Sequence, residues 1–208
     1  MYSQMPEKKY NMSFTTGGLF YNESLKAAAV FLSLMDWEKV RERMLSDNLL
    51  QTRTKSSAIR ISREICLRLE TLTGRQLRLL ESGSAQEQRY LLWIAVCKRY
   101  AFIQQFMGEM VREKYARMDL QLSPADYDIF FHEKAEIHVE LDRLSASTRA
   151  KLRQVLLKAM REAEILSRDN MILPGLPTKE LVEALADDNS DLLAMLPISD
   201  MDIKEWLQ

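Results

Sequence analysis

The sequence contains few residues that end regular secondary structure. Only six glycines and five prolines occur among 208 residues, so long regular elements are favoured over many turns. Hydrophobic residues make up 47% of the chain and charged residues 28%, proportions that fit a folded protein and argue against wholesale disorder. We therefore predict an all-α protein. A chain of this length can hold one sizeable core or two small ones.

Cysteine is also scarce, and its placement excludes the usual thiol chemistry. Cys66 and Cys97 both fall on apolar helix faces, and neither belongs to a pair with the spacing of a metal or redox site. We expect buried free thiols in a reducing compartment. Residues 1–12 are polar and lack the apolar segment of a secretory signal, which predicts a flexible N-terminus and a cytoplasmic protein.

The sequence lacks the common catalytic and cofactor-binding motifs. It has no phosphate-binding loop of the form GxxxxGK followed by Ser or Thr, no GxSxG elbow and no HExxH zinc motif. The only two histidines, His132 and His138, are six residues apart, which is too far for two ligands on one helix face. His132 and Glu136 have a suitable spacing, but no third ligand accompanies them. We predict neither an enzyme nor a metal or other cofactor site.

The longest apolar pattern lies between Ala85 and Met118. Its apolar residues recur at helical spacing and nearly encircle the helix, which is the pattern of a helix buried on several sides. The apolar run that begins at Tyr90 ends at Lys98, well short of the roughly 20 residues that cross a membrane. We predict one long central helix in a multi-helix bundle without membrane insertion, with Gly108 as the position of any kink.

Net charge is close to zero, at -1, but the charges are unevenly distributed. Between Arg41 and Arg78, nine basic residues accompany four acidic ones, a local balance of +5. From Glu183 to the end, seven acidic residues accompany one lysine, a balance of -6. Such asymmetry indicates a polyanion-binding body with an acidic tail, although basic helices are often only solvated faces.

A helix predicted from about Ser56 carries the most informative surface. Apolar residues at spacings of three and four place one side of it in the core: Ala58, Ile61, Ile65, Leu69 and Leu72. Polar and basic groups lie on the other side and just ahead of the helix: Arg53, Lys55, Ser56, Arg60 and Arg63. Because the start of a helix offers unpaired amides and a positive dipole end, this arrangement suits a phosphate backbone. The alternative is a solvated face, partly paired through Glu64 and Glu70.

The pattern in the second half of the sequence predicts a helix, a linker, a basic helix and a β-hairpin. Ser123 caps a helix that begins at Pro124. The exposed face of the following amphipathic helix carries Lys151, Gln154, Lys158 and Arg161. Two short apolar runs around Arg168 predict a small hairpin with a polar tip. This order is that of a winged helix, in which a helix enters the major groove and the hairpin contacts the backbone. A purely structural hairpin is the alternative.

These patterns divide the chain into four parts. They are a flexible N-terminus over residues 1–12, a helical domain with the basic and central helices over 13–120, a winged-helix-like subdomain over 121–186, and an acidic C-terminal tail over 187–208.

A double glycine, Gly17 and Gly18, follows Thr15 and Thr16 near the start of the chain. Successive backbone amides in such a loop are able to wrap an anion. A tight turn that packs the flanking apolar residues, Phe14 and Leu19, against the core is the stronger interpretation.

Four sequence blocks together resemble one protein family. They are FTTGGLF near the start, LLQTRTKSSAIRISREI, YLLWIAVCKRYAFI and STRAKLRQVLLKAMREAEIL, and the likeness extends from Met12 to Leu176. The family is BrxA, a small component of the bacteriophage exclusion (BREX) defence systems of bacteria. The resemblance implies an all-helical, NusB-like fold, double-stranded DNA binding and no catalytic activity.

The family's first basic block matches Arg53, Ser56, Arg60 and Arg63, and its second matches Lys151, Lys158 and Arg161. We therefore expect a non-enzymatic DNA-binding accessory protein whose contacts with phosphates are largely independent of sequence. Alternatively, the same charged faces dock the methyltransferase or ATPase components of the defence system. RNA binding is a weaker alternative, because the surface helices carry no exposed aromatic platform. The pattern leaves the oligomeric state open.

Overall fold

A computed structural model describes residues 9–207, and this part of the chain is α-helical without a β-strand. The predicted all-α fold is confirmed. The α-helices are α1 (Tyr21–Leu34), α2 (Trp37–Ser46), α3 (Lys55–Leu69), α4 (Gly74–Ser82), α5 (Ala85–Arg99), α6 (Ala101–Gln105), α7 (Arg112–Ala116), α8 (Pro124–Ala135), α9 (Val139–Asp142), α10 (Ala146–Glu162), α11 (Lys179–Asn189) and α12 (Asp200–Trp206). A π-helix, Phe106–Val111, joins α6 to α7, and a 3₁₀ helix, Ser190–Met195, follows α11.

Side chains at the helix starts explain why several helices begin where they do. The Asp36 carboxylate accepts hydrogen bonds from the Glu38 and Lys39 amides at 2.9 and 3.2 Å, as the sequence predicts for the start of α2. Ser123 forms a reciprocal capping pair with Asp126 ahead of Pro124. These local signals determine where α2 and α8 start.

Helix α5 is the centre of the fold. Every residue from Tyr90 to Cys97 is buried, and α1, α3, α4, α10 and the 3₁₀ helix all contact this helix. Trp93 is fully buried, and its indole Nε1 donates to the Met195 carbonyl at 2.9 Å. The predicted burial of this helix on several sides is therefore confirmed.

The prediction of one long helix from Ala85 to Met118, with any kink at Gly108, misses a break at Tyr100. The chain leaves helical geometry at Tyr100, where φ is −123° and ψ is 96°. The Tyr100 ring is fully buried against Phe14, with ring centroids 5.2 Å apart, and its hydroxyl donates to the Glu64 carboxylate. The hydrogen bond to this carboxylate and the packing of this ring hold Tyr100 outside helical geometry. A new helix, α6, begins at the next residue. The proposed kink residue, Gly108, lies inside the π-helix, so the helix is irregular there as well.

An aromatic cluster holds the chain after this break. Phe102 and Phe106 each pack edge-on against Phe130 of α8, with ring centroids 5.3 Å apart in both pairs. Tyr127 and Phe131 of the same helix complete the cluster. The inward aromatic face predicted for this helix is confirmed.

The predicted β-hairpin does not form strands among the described residues. The chain reverses between Ile165 and Leu173, and the Leu173 amide donates to the Ile165 carbonyl at 2.8 Å, but only isolated bridges result. One bridge joins Met171 to Gln121, outside the expected hairpin. Because both Leu166 and Ile172 are buried, this loop packs onto the body of the protein instead of projecting from it.

The acidic C-terminal segment folds against the body over its described part, residues 187–207. Asp187 pairs with Arg75, and Asp188 pairs with Lys98 at 2.6 Å. Apolar residues between these acids and α12 are buried: Leu192, Leu193, Leu196 and Ile198. The acidic residues therefore serve as counter-charges for cations on α4 and α5.

The predicted flexible N-terminus lies mostly outside the described residues. Of residues 1–12, the first eight are not described, whereas the Tyr10 side chain is buried and its amide donates to Glu140 Oε1 at 2.8 Å. Cys66 and Cys97 are buried free thiols, as predicted, and burial raises the pKa of the Cys66 thiol to about 12.

Membrane insertion and metal binding each require a particular arrangement of residues. Between residues 9 and 207, no helix combines the length and the apolar character that a membrane span requires. Within the same residues, no three His, Cys, Asp or Glu side chains cluster closely enough to hold a metal ion.

Replacing Tyr100 by Phe tests whether the break in the central helix depends on the bond to Glu64. We expect a loss of about 1.5–3 kcal/mol in the free energy of unfolding, because a buried carboxylate loses one of its donors. Tyr115→Phe, at a hydroxyl with no hydrogen bond to other described residues, is the matched control and should change little. Urea unfolding measures both, and equal effects of the two substitutions would contradict this account.

Candidate nucleic-acid interface

The exposed side of α3 carries the first group of predicted site residues. Thr54 caps this helix by accepting a hydrogen bond from the Ser57 amide at 3.2 Å, so it begins one residue earlier than predicted. Ile65 and Leu69 are buried, and Ala58 and Ile61 are partly buried, which confirms the predicted core side. All five members of the predicted group are exposed: Arg53, Lys55, Ser56, Arg60 and Arg63.

The cations in this group have no acidic partners. Among the residues that the structure describes, no carboxylate forms an ion pair with Arg53, Lys55, Arg60 or Arg63. Glu64, the acid next to Arg63 in sequence, lies inside and accepts from the Arg68 guanidinium at 2.7 Å. The pairing through Glu64 and Glu70 that would make this an ordinary solvated face is therefore not formed in residues 9–207. Four positive charges remain available to a partner.

The second predicted group lies on α10, and its side chains hydrogen-bond or pair with other residues of the protein. Lys151, Gln154 and Lys158 are exposed, but Lys158 pairs with Glu162 at 3.5 Å and Lys151 donates to the Gln154 side chain at 3.3 Å. Arg161 is partly buried and donates to the Asn170 side chain.

The remaining predicted residue, Arg168, is exposed at the tip of the loop after α10. It forms no ion pair with another described residue, so its charge is also available.

The loop formed by residues 11–20 connects the two groups. The Gly18 carbonyl accepts from Arg68 of α3 at 2.7 Å, and the Leu19 amide donates to Glu162 of α10 at 2.6 Å. Thr15 and Thr16 line a cavity together with the α3 arginines, whereas Gly17 and Gly18 line a second cavity together with Lys158 and Arg161. Two members of each predicted group therefore line a cavity beside this loop: Arg60 and Arg63 in one, Lys158 and Arg161 in the other.

The double glycine is needed for the shape of this loop. Gly17 has φ of +68°, a left-handed conformation that other residues rarely adopt. A Cβ atom on Gly18 would lie 2.0 Å from Glu162 Oε2, the atom that accepts the bond from Leu19. Phe14 and Leu19 are each 1% exposed, which confirms the predicted tight turn that packs its flanking residues against the core.

The cavity on the α3 side has a volume of about 450 Å³. It contains one basic residue that the sequence pattern does not identify, Arg99, the last residue of α5. Nothing in the local pattern distinguishes this arginine from Lys98, which turns toward Asp188. Arg99 reaches the same cavity as Arg60 and Arg63 because α5 packs against α3.

The electrostatics of this region favour binding of an anion. Guanidinium groups stay protonated at any physiological pH, so the charge of the arginines is fixed. Burial, followed by the nearby charge of Glu64, raises the pKa of the Tyr100 hydroxyl to about 12. That hydroxyl is therefore a permanent donor to Glu64 near neutral pH, and the region presents fixed positive charge and neutral hydroxyl groups.

Comparison with known proteins identifies the family. The family model described as BrxA matches residues 8–189. The chain belongs to the BrxA family. A BrxA relative from Escherichia coli O9:H4 (strain HS), named BREX protein BrxA, is 29% identical over 147 residues, which cover 71% of this chain and 69% of the relative. A second BREX protein BrxA, from Bacillus cereus (strain H3081.97), is 24% identical over 160 residues, covering 77% and 80% respectively.

A solved structure has the same fold as this BrxA family member. It is the crystal structure of an uncharacterized protein from Magnetospirillum magneticum, with a TM-score of 0.78 and 20% sequence identity. The match covers 91% of this chain and 98% of the other, so nearly the whole helical arrangement is shared.

The connection between the loop and α10 predicts how two substitutions combine. Gly18→Ala should displace the Glu162 carboxylate and leave the Leu19 amide without its acceptor, at a cost of about 1–3 kcal/mol in stability. Glu162→Ala removes the same acceptor. The double variant should therefore lose little more than either single variant, as measured by denaturant unfolding of all three proteins.

Gly74→Ala is the control for this experiment, because a Cβ atom there makes only an ordinary contact, 3.5 Å from Arg78. Fully additive losses for Gly18→Ala and Glu162→Ala would show that the two residues do not act through one hydrogen bond.

Proposed function

We propose that this chain is a non-enzymatic, double-stranded-DNA-binding accessory protein of a BREX bacteriophage-defence system. One observation carries the proposal: four cations on and beside α3 are exposed without acidic partners, next to a loop that joins them to the basic face of α10. In contrast, Arg75, Lys98 and Arg112 are each neutralised by acids of the C-terminal segment. The names of the two bacterial relatives support the assignment to BREX.

The two basic faces have different roles in this proposal. Arg53, Lys55, Arg60 and Arg63 contact phosphates, with Ser56 as an additional donor, and fix the position of the protein on the duplex. Lys151, Gln154, Lys158 and Arg161 lie in or along a groove, and Arg168 contacts the backbone beside it. This division follows the docking of a winged helix, with the loop of residues 165–173 in place of the wing. We likewise propose that the bundle is NusB-like and that the protein acts in the cytoplasm, where cellular DNA is located.

A scaffold function is the second candidate. Ile59 is 47% exposed on α3 between basic residues. An exposed branched apolar side chain stabilises a complex when a protein partner buries it, whereas a phosphate backbone offers it no apolar contact. In that case the same surface docks another BREX component, such as the methyltransferase or the ATPase. Co-purification of such a component that survives nuclease treatment and high salt would favour the scaffold over DNA binding.

Charge reversal on α3 tests the proposed function. Arg60→Glu combined with Arg63→Glu should weaken binding to a fluorescent duplex by about 100-fold or more, because two phosphate contacts become repulsive. Fluorescence anisotropy measures the affinity, and an unchanged far-UV circular dichroism spectrum confirms that the helices are retained.

Arg78→Glu combined with Arg143→Glu is the matched control. It changes the net charge equally at two exposed arginines that line neither cavity beside the loop. This control should retain most of the affinity, and duplexes of unrelated sequence should bind with similar strength and a steep dependence on salt. If both double variants bind DNA as tightly as the unmodified protein, α3 is not the DNA-binding surface.

A further inference from the structure

We infer that the cavity between α3, the loop of residues 11–20 and the end of α5 is a discrete binding site for one phosphate group. Arg60, Arg63 and Arg99 supply its positive charge, and Ser13, Thr15 and Thr16 supply hydroxyl donors. This inference rests on the proposed function in one respect: the phosphate is taken to be one of the DNA backbone. It goes further by assigning one phosphate to a defined cavity instead of to the basic surface as a whole.

Arg99 provides the main support for a bound anion. Its Nε atom is buried and has no hydrogen-bond acceptor among the described residues, a situation shared there only by the Tyr127 hydroxyl. Buried donors without acceptors are rare, because leaving one unsatisfied costs free energy. Arg99 lines the cavity, and no described acid forms an ion pair with its guanidinium group, so an anion bound there would supply the counter-charge that the protein does not.

Four other donor groups around the cavity are also uncommitted. The hydroxyl groups of Thr15 and Thr16 form no hydrogen bond with another described residue, and neither do the guanidinium groups of Arg60 and Arg63. Arginines and hydroxyl groups around one space can all donate to the oxygens of a phosphate, for which forked guanidinium donors are well suited.

One acid, Glu64, also lines the cavity and must be accounted for. Its Oε1 atom already accepts from the Arg68 guanidinium at 2.7 Å and from the Tyr100 hydroxyl, both on the buried side. Arg68 therefore compensates the Glu64 charge. The three remaining arginines leave the cavity with a net positive charge.

Arg99→Lys is the most informative substitution, because it keeps the positive charge but removes the Nε donor and the planar fork. We expect duplex affinity to fall by about tenfold or more, although the net charge is unchanged. Thr16→Val, which removes one hydroxyl group at constant shape, should weaken binding in the same direction. Arg143→Lys, at an exposed arginine outside the cavity, should have no effect. Thermal unfolding of each variant identifies any loss of folding.

Competition between duplex and inorganic pyrophosphate, measured with the full chain at constant ionic strength, tests whether the site recognises a phosphate group outside DNA. Pyrophosphate should displace duplex from the unmodified protein more effectively than chloride does, and Arg99→Lys should remove that advantage. If the unmodified protein binds duplex, and Arg99→Lys and Thr16→Val bind it equally well, the discrete site is overturned while the proposed DNA-binding function stands.

The opposite combination is also informative. Pyrophosphate binding that depends on Arg99, in a protein that binds no duplex, would retain the phosphate site and overturn the DNA-binding function. Absence of binding to both would overturn both.

Discussion

A buried network around Glu64 determines where the candidate site is formed. The carboxylate accepts from Arg68 on its own helix and from Tyr100 at the end of α5, and Arg68 in turn donates to the Gly18 carbonyl. A charge removed from water is tolerated only when it is paired and hydrogen-bonded, so these four residues must be positioned together. Tyr100 lies at the break in the central helix, and the bond from Arg68 holds the glycine loop against α3, beside the cavity that Arg60, Arg63 and Arg99 line.

The distribution of ion pairs separates two kinds of surface. Acids near the C-terminus neutralise Arg75, Lys98 and Arg112, and the pKa of the Asp200 carboxyl is lowered by the Arg112 guanidinium beside it. In residues 9–207, no acid forms an ion pair with the exposed cations of α3. The acidic segment thus explains why a protein with a net charge of -1 can present a basic surface. The cations of α4 and α5 that face this segment are compensated, whereas those of the exposed side of α3 are not.

The sequence predicts those features that depend on neighbouring residues. Helical spacing identifies the two sides of α3, and local capping signals identify the starts of α2 and α8. The sequence does not predict the break at Tyr100, because the Tyr100 hydroxyl donates to Glu64, which is 36 residues away. The loop anchor between Leu19 and Glu162 spans 143 residues, and the partner of the turn near Met171 is the distant residue Gln121. Each of these features depends on a contact that no local pattern encodes, and so does the inclusion of Arg99 in the cavity, which follows from the packing of α5 against α3.

The central claim, that the uncompensated cations beside the glycine loop bind the DNA backbone, is tested most directly by lysine footprinting. The protein is acylated with and without saturating duplex, and the rate at each lysine is read by mass spectrometry. We predict that duplex protects Lys55 and Lys158, while Lys39 and Lys179, which are exposed on α2 and α11, remain reactive. Equal modification of Lys55 with and without bound duplex would contradict the claim.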